Sequence, residues 1–336
     1  MGVKVAVNGF GRIGRYIVRL IAKETRDIEC LAINSRADSA TLAHLLEYDS
    51  VHGHYDVPIK YDSEALIVGG RKILISRRIG DWSTLPWGEL GVDIVLETSG
   101  KFPDEKACQK HLKAGAKKVI IGAPGKGPDT TLVMGVNHEE YDPRVHHVIS
   151  NGSCTTNCLA PAAKVIHQTF GIERGLMTTV HSYTMGQRIL DGSHKDLRRA
   201  RAAAMSIVPT TTGAARSIAL VIPELQGRLD GLSLRVPTPN VSIVDLVTDL
   251  SRPVSVADVN SALKEAGEKE LKGILKYSEA PLVSVDYTSS PYSSIVDAPL
   301  TNVIGDKMVK VMLWYDNESG FAGRMVDMAL YIGDRL

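Results

Sequence analysis

Long hydrophobic runs are missing from this sequence. No stretch approaches the ~18 consecutive apolar residues of a helical membrane span, so no membrane partner is expected. Charge of one sign is missing too: 39 Lys and Arg nearly cancel 38 Asp and Glu, for a formal net charge of +1. That balance gives no reason to expect nucleic acid or an anionic membrane as the main partner. Cysteine is scarce. The four thiols (Cys30, Cys108, Cys154, Cys158) do not suggest a disulfide framework, and in a chain expected to be cytoplasmic they should stay reduced. The N-terminal apolar run is interrupted by Asn8 and glycines, so it reads as a first strand and not as a signal peptide. No repeat, low-complexity tract or disordered linker is visible.

What is present is a grammar of alternating elements. The 336 residues are enough for two domains at roughly 100–200 residues each. Residues 3–8 (VKVAVN) predict a strand, 12–24 an amphipathic helix, 28–34 (IECLAIN) a strand and 40–48 a helix. A strand at 94–99, a helix near 104–115 and a strand at 117–124 follow. Strand and helix in repetition predict an α/β fold with a Rossmann-type doubly wound parallel sheet. Two β-like runs within 55–80, separated by Gly69-Gly70, predict a hairpin insertion. Beyond about residue 150 the strand-like runs lengthen (LMTTVHSY, LSLRVPTP, SIVDLVTDL, KMVKVMLWYD), which predicts an α+β second domain with a mostly antiparallel sheet. The expected boundaries are 1–150, 151–318, and a C-terminal helix in 319–336 that packs back on the first domain.

Two stretches carry chemistry. Gly9-Phe10-Gly11-Arg12-Ile13-Gly14 is a G-x-G-x-x-G placed between the first strand and the first helix. The glycines permit a tight turn and close backbone approach, and the helix N-terminus offers N–H groups to a pyrophosphate. A ligand-free glycine turn is the bland alternative. The second stretch is Ser150–Cys158 (SNGSCTTNC), where small polar residues lead into a helical pattern. Cys154 should therefore sit at a helix N-terminus, where the dipole favours a thiolate and backbone N–H groups stabilise an oxyanion. Cys158, one turn on, reads as structural. Pro161 predicts a kink or an irregular first turn. His181 ends a β-rich run, a suitable place for a general base, although spacing alone does not bring it to Cys154. A metal site built on Cys154, Cys158 and His181 lacks a fourth ligand at usual spacing, so none is expected.

NGFGRIGR, LAHLLEYDSVHG, SNGSCTTNCLAP, HKDLRRARAAA, IVPTTTGAA, LRVPTPNVS and WYDNESG together resemble the glyceraldehyde-3-phosphate dehydrogenase family, in the family's order and over essentially the whole chain. The resemblance implies a reversible, phosphorylating oxidation of D-glyceraldehyde 3-phosphate through a Cys154 thioester, with His181 as base. It implies that Thr184, Arg198 and Arg235 hold the substrate's phosphate, and that Ser153, Thr155, Thr212 and Gly213 hold inorganic phosphate. Arg235 is expected to serve both anions, and Arg199 and Arg201 are read as solvated or interface residues. Gly9, Gly11, Arg12, Ile13, Ser99 and Asn317 are expected to bind the dinucleotide, with Asn317 on the nicotinamide carboxamide. The family fold is a homotetramer in which residues 184–207 border a neighbour's cofactor. An erythrose-4-phosphate dehydrogenase and a cysteine–histidine acyl transferase are the alternatives.

Three departures from the family pattern matter. Met185-Gly186-Gln187 lacks the usual acid before the glutamine, and Phe321 replaces a common tyrosine. The third departure concerns cofactor choice. At the end of the second strand, where NAD-binding units place an acid for the ribose hydroxyls, this chain has Ser35-Arg36. Gly192-Ser193 stands where NAD-specific members often carry Leu-Pro. Ser35, Arg36 and Ser193 are thus expected to accept NADP as the preferred cofactor. The alternative is a dual-specificity enzyme that uses NAD or NADP, with Arg36 a solvated loop charge.

Overall fold

The computed structural model describes residues 2–100 and 104–336, except the side chain of Arg216. Its contacts divide the chain into two units. One contains the residues up to Met134, His138–Gly152 and Ala322–Leu336; the other contains Gly135–Asn137 and Ser153–Phe321.

The first unit is built on β1 (Val3–Asn8), α1 (Arg12–Lys23), β2 (Ile28–Asn34) and α2 (Ser39–Glu47). There follow β3 (Ile59–Tyr61), β4 (Ala65–Val68), β5 (Arg71–Ser76), β6 (Ile94–Glu97), α3 (Glu105–Lys113), β7 (Lys118–Ile121), β8 (Thr130–Thr131) and β9 (Val148–Ser150). They form one sheet in the order β8-β9-β7-β6-β1-β2-β5-β4-β3. Every pairing from β8 to β5 is parallel. Such strands are covered on both faces and therefore run nearly continuously apolar, as IVLE and KVII do here, all four residues of each being buried. The helices begin on side-chain caps: Asp38 accepts from Thr41 N, and Asp104 from Ala107 N. The expected hairpin at Gly69-Gly70 exists between β4 and β5, but it is no insertion. β5 pairs in parallel with β2, so the hairpin extends the main sheet and brings residues 77 and 78 beside the end of β2.

The second unit opens with α4 (Cys154–Phe170), which runs unbroken through Pro161. Its sheet comprises β10 (Ile172–Ser182), β11 (Val208–Thr211), β12 (Leu229–Val236), β13 (Ser242–Leu250), β14 (Leu275–Ser278), β15 (Ser294–Asp297), β16 (Asn302–Ile304) and β17 (Met308–Tyr315). The order is β11-β12-β10-β13-β17-β15-β14, with β16 on β17. It is mixed: β10/β12 and β14/β15 are parallel and the other pairings antiparallel. Helix α5 (Val256–Glu268) starts on a Ser255–Asp258 capping box. Helix α6 (Ser319–Gly333) ends the fold, and Gly333 lies so close to β1 that a Cβ there would meet Val3 at 2.1 Å.

Candidate active site

The dinucleotide-type loop forms as the sequence predicts. Gly9 has φ +100, and a Cβ on it would lie 2.4 Å from Ser99 Cα, so only glycine lets β1 and the end of β6 approach this closely. A Cβ on Gly14 would strike Gly9 O at 2.1 Å. Gly11 caps α1 without a side chain, and a Cβ added there would meet nothing within 4 Å, which leaves its backbone open to a ligand. Arg12 forms a two-pronged ion pair with Asp49, whose carboxylate also accepts from Val51 N and His52 N. The guanidinium holds the Asp49 carboxyl well below the usual range against the opposing effect of burial. Ile13 is half-buried.

Beneath this loop lies a buried polar chain that sequence reading missed. Trp87 Nε1 donates to His111 Nδ1 (3.1 Å), so the neutral imidazole carries its proton on Nε2 and offers it to Glu97 (3.2 Å). Glu97 also accepts from Asn8 and from Ser99 N (2.7 Å). Asn8 in turn accepts from Asn34 Nδ2 (2.7 Å). The ends of β2 and β6 are thereby fixed from below.

At the end of β2, Ser35 is half-buried and its N–H is fixed on Ser76 O (3.0 Å), while Arg36 is exposed. Asp38, the nearest acid in sequence, is committed to capping α2 through Thr41 N and Oγ1. Arg77 and Arg78 follow β5 beside this strand end; Arg77 reaches Ser39 Oγ (3.0 Å), and Arg78 N binds Asn34 Oδ1 (3.1 Å). Neither arginine was singled out from the sequence, because their proximity to Ser35 depends on the β2/β5 pairing.

In the second unit Ser153 is the N-cap of α4, its Oγ accepting from Thr156 N (3.0 Å), and Cys154 is the first helical residue. Cys154 Sγ lies 3.5 Å from His181 Nε2. The register of β10 with β12 sets Arg235 directly beside His181. His181 Nδ1 is 2.7 Å from Ser182 O, and Arg235 Nη1 is 2.9 Å from Nδ1 and 3.2 Å from Ser182 O. Arg235 Nη1 only donates, so its contact with Nδ1 and the contact of Nδ1 with Ser182 O call for opposite tautomers; a proton on Nδ1 gives the shorter bond, to Ser182 O, which also accepts from the guanidinium. That tautomer leaves Nε2 as an acceptor facing the thiol. The ring packs edge-on to Tyr315.

The helix N-terminus favours a thiolate at Cys154, and burial works against it. Burial pushes the Cys154 thiol up, and Arg235 and Thr155 only partly offset it. Burial, then the Arg235 charge, pushes His181 down to about 3. Cys154 is still the cysteine that is not fully buried, and burial pushes Cys30 and Cys108 up to about 12. Cys158 is buried against Leu313 O, as a structural thiol should be.

The remaining expected residues fall as follows. Thr155 is buried, its hydroxyl 2.9 Å from Tyr315 OH, which also meets Thr179 Oγ1 at 2.9 Å. Thr184 is exposed and tethered by buried Gln187, whose Oε1 accepts from Thr184 N (3.0 Å); Gly186, directly before that glutamine where the acid is missing, is half-buried, and Met185 is 92% exposed. Thr212 and Gly213 precede a short helix at Ala214–Ile218, with Thr212 Oγ1 accepting from Ala214 N (3.2 Å). Arg198 is exposed, whereas Arg199 is the arginine of that segment whose charge reaches both His181 and Arg235. Arg199 was set aside in the sequence reading, since adjacent arginines in an irregular segment carry no local signal of direction. Asn317 is buried and accepts from Ser242 Oγ (2.9 Å). Ser193 is exposed, its carbonyl gripped by Arg188 (2.6 and 3.0 Å), and Phe321 is buried. Among the described residues no cluster of three or more metal-ligating side chains occurs.

A parallel nucleotide-binding sheet with its glycine loop, and a cysteine–histidine pair at a helix N-terminus, define a thiol-dependent, dinucleotide-using oxidoreductase. Comparison with known proteins narrows this. Residues 3–105 match the family model described as glyceraldehyde 3-phosphate dehydrogenase, NAD binding domain, and residues 153–317 match the C-terminal domain of the same family. The chain is 60% identical over 335 residues to a glyceraldehyde-3-phosphate dehydrogenase of Geobacillus stearothermophilus, covering 100% of this chain and 99% of that one. It is 56% identical to glyceraldehyde-3-phosphate dehydrogenase 1 of Bacillus subtilis and 52% identical to the Streptomyces coelicolor enzyme, with 100% of this chain covered and 99% and 100% of theirs. The chain belongs to the glyceraldehyde 3-phosphate dehydrogenase family and is an oxidoreductase acting on an aldehyde group with a nicotinamide dinucleotide.

Proposed function

We propose that the chain oxidises D-glyceraldehyde 3-phosphate to 1,3-bisphosphoglycerate with inorganic phosphate, reversibly, through a thioester on Cys154. The observation that carries this is the 3.5 Å approach of Cys154 Sγ to His181 Nε2 with Arg235 beside the ring. His181 takes the thiol proton as sulfur adds to the aldehyde carbon, and then takes the hydroxyl proton of the resulting hemithioacetal after passing on the first. When bound, the nicotinamide supplies the hydride acceptor. Phosphate then attacks the thioester carbonyl, the C–S bond breaks, and the acyl phosphate leaves with Cys154 restored. Thr184 and Arg235 suit the substrate's phosphate, and Ser153, Thr212 and Gly213 suit the attacking phosphate; we add Arg199, on its electrostatic reach, to Arg198 for these anions. Sustained aldehyde oxidation should require phosphate, with arsenate able to replace it. Full steady-state rate with neither anion contradicts the proposal.

The same reading extends to cofactor and assembly. We infer that NADP is used at least as well as NAD. The absence of a free acid at the end of β2, together with Ser35, Arg36, Arg77 and Arg78 there, supports a 2′-phosphate site. Charge-assisted hydrogen bonds are worth about 1.5–3 kcal/mol each, so one such bond shifts preference about tenfold or more. Ser35→Asp should lower kcat/KM for NADP by about that factor relative to NAD. A wild-type enzyme that strongly prefers NAD, or an unchanged ratio in the variant, rejects this. A homotetramer is supported by the exposed Met185, Ile189, Leu190, Leu197, Met205 and Ile207 of the 184–207 segment, a set that suits cover by another copy of the chain. A cytoplasmic location is supported by four unpaired thiols, and no described helix is long and apolar enough to cross a membrane.

A further inference from the structure

Among the described residues, two that are not glycine adopt left-handed backbone: Val241 (φ 66) and Ser289 (φ 65). A β-branched residue is poorly suited to that region, because its crowded Cβ meets the neighbouring carbonyl. Val241 is also buried, packed with Tyr287 and Ile295 and bordered by Tyr292 and Trp314. Such a conformation persists only where the surroundings over-determine it.

One carboxylate ties both turns down. Asp316 is 1% exposed. Its Oδ2 accepts from Asn240 Nδ2 and from Ser289 N, each at 2.7 Å, and its Oδ1 accepts from Glu318 N and Ser319 N at 2.8 Å. The restrained turn then serves two directions. Val241 O accepts from Ser182 Oγ (2.7 Å), and Ser242 Oγ accepts from Ser182 N (3.1 Å). Ser242 Oγ donates onward to Asn317 Oδ1 (2.9 Å). Ser182 is the residue whose carbonyl faces His181 Nδ1, so an unbroken series of contacts runs from the imidazole through Ser182 and Ser242 to the Asn317 amide. An extended Val241 would turn its carbonyl away from Ser182 Oγ and remove the bond that steadies the middle of that series.

We propose that Asp316, acting through Asn240, holds Val241 in its left-handed conformation and so fixes the base His181 and the carboxamide-binding Asn317 in one geometry. Asn240, Val241 and Asp316 are then positioning residues for hydride transfer. Asn317 acts in this scheme by orienting the nicotinamide and His181 by orienting the hemithioacetal oxygen; a reaction that demands alignment of donor carbon and acceptor ring is sensitive to errors between the two. The inference rests on the roles given to His181 and Asn317 above.

The test uses rescue. Asn240→Ala removes the tether of the turn while leaving the bonds of Asp316 to Ser289, Glu318 and Ser319. It should lower kcat by about tenfold and raise the dinucleotide KM, as expected for a small misplacement of reacting groups. Adding Val241→Gly should restore most of kcat, because glycine takes φ > 0 without a tether. Adding Val241→Ala instead removes much of the same packing but keeps the Cβ, and should not rescue. Equal behaviour of the two double variants, or wild-type kcat and KM in Asn240→Ala, overturns the proposal. Should Asn240→Ala fail to fold, Ser242→Ala breaks the same series beyond the tether and should lower kcat and raise the dinucleotide KM together; an unchanged pair of constants overturns it equally. A wild-type enzyme unable to oxidise the aldehyde would instead overturn the functional reading, which separates the two failures.

Discussion

Replacing His181 with asparagine should lower kcat by about 10²–10⁴-fold, the usual worth of a positioned general base. Asparagine can still donate to Ser182 O, so the strand end is kept while the acceptor facing Cys154 Sγ is lost. The dinucleotide KM should change little, because the glycine loop and Ser35 are untouched. A second consequence concerns acid stability, and its sign follows from the burial of the ring. The folded state keeps His181 neutral down to about 3, whereas the unfolded chain binds a proton near the ordinary value of about 6.5. Protonation therefore favours unfolding across that window, and stability falls as pH drops below about 6.5, by up to about 1.4 kcal/mol per unit. His181→Asn removes that contribution, so the variant should lose less stability than the wild type between pH 6.5 and 4. Denaturant midpoints at several pH values check this; parallel losses in the two proteins would show that the imidazole is not held neutral.

The second large effect separates two glycines of the same loop. Gly9→Ala places a Cβ 2.4 Å from Ser99 Cα at a residue with φ +100. The backbone conformation alone costs about 1–3 kcal/mol, and Ser99 cannot give way easily, since its N–H is bonded to buried Glu97. Gly9→Ala should therefore lose both thermal stability and dinucleotide binding. Gly11→Ala is different: its φ is −81 and nothing lies within 4 Å of the new Cβ. It should melt like the wild type while its dinucleotide KM rises, because the methyl group obstructs the backbone approach that a pyrophosphate needs. Equal melting of the Gly9→Ala protein and the wild type would contradict the close packing of β1 on the end of β6.

How much of this was legible in the sequence follows from the range of each interaction. β1, β2 and β13 fall where their apolar runs predicted, to the residue, because strand formation there is written in local hydrophobic pattern. The start of α4 at Cys154 was legible for the same reason: an N-cap serine followed by a helical run is a local signal. What the sequence hid depends on register between distant strands. Arg235 reaches His181 only because β12 lies parallel to β10 with those two residues opposite, 54 positions apart. Arg77 and Arg78 meet the end of β2 only because the β4–β5 hairpin joins the main sheet. The helix N-terminus that favours a thiolate is visible in the sequence, but the burial that opposes it is not. Arg199 was passed over because three arginines in LRRARAAA look alike until the segment folds.

The central claim is that Cys154 carries the acyl group and inorganic phosphate removes it. Enzyme, dinucleotide and aldehyde mixed without phosphate, then quenched in acid and mapped by peptide mass spectrometry, test it directly. The account predicts one acyl group per chain on Cys154, none on Cys30, Cys108 or Cys158, and its release as an acyl phosphate when phosphate is added before the quench. Reduced dinucleotide formed in a burst with no acyl group on Cys154, or an acyl-enzyme that water discharges as fast as phosphate does, would contradict it.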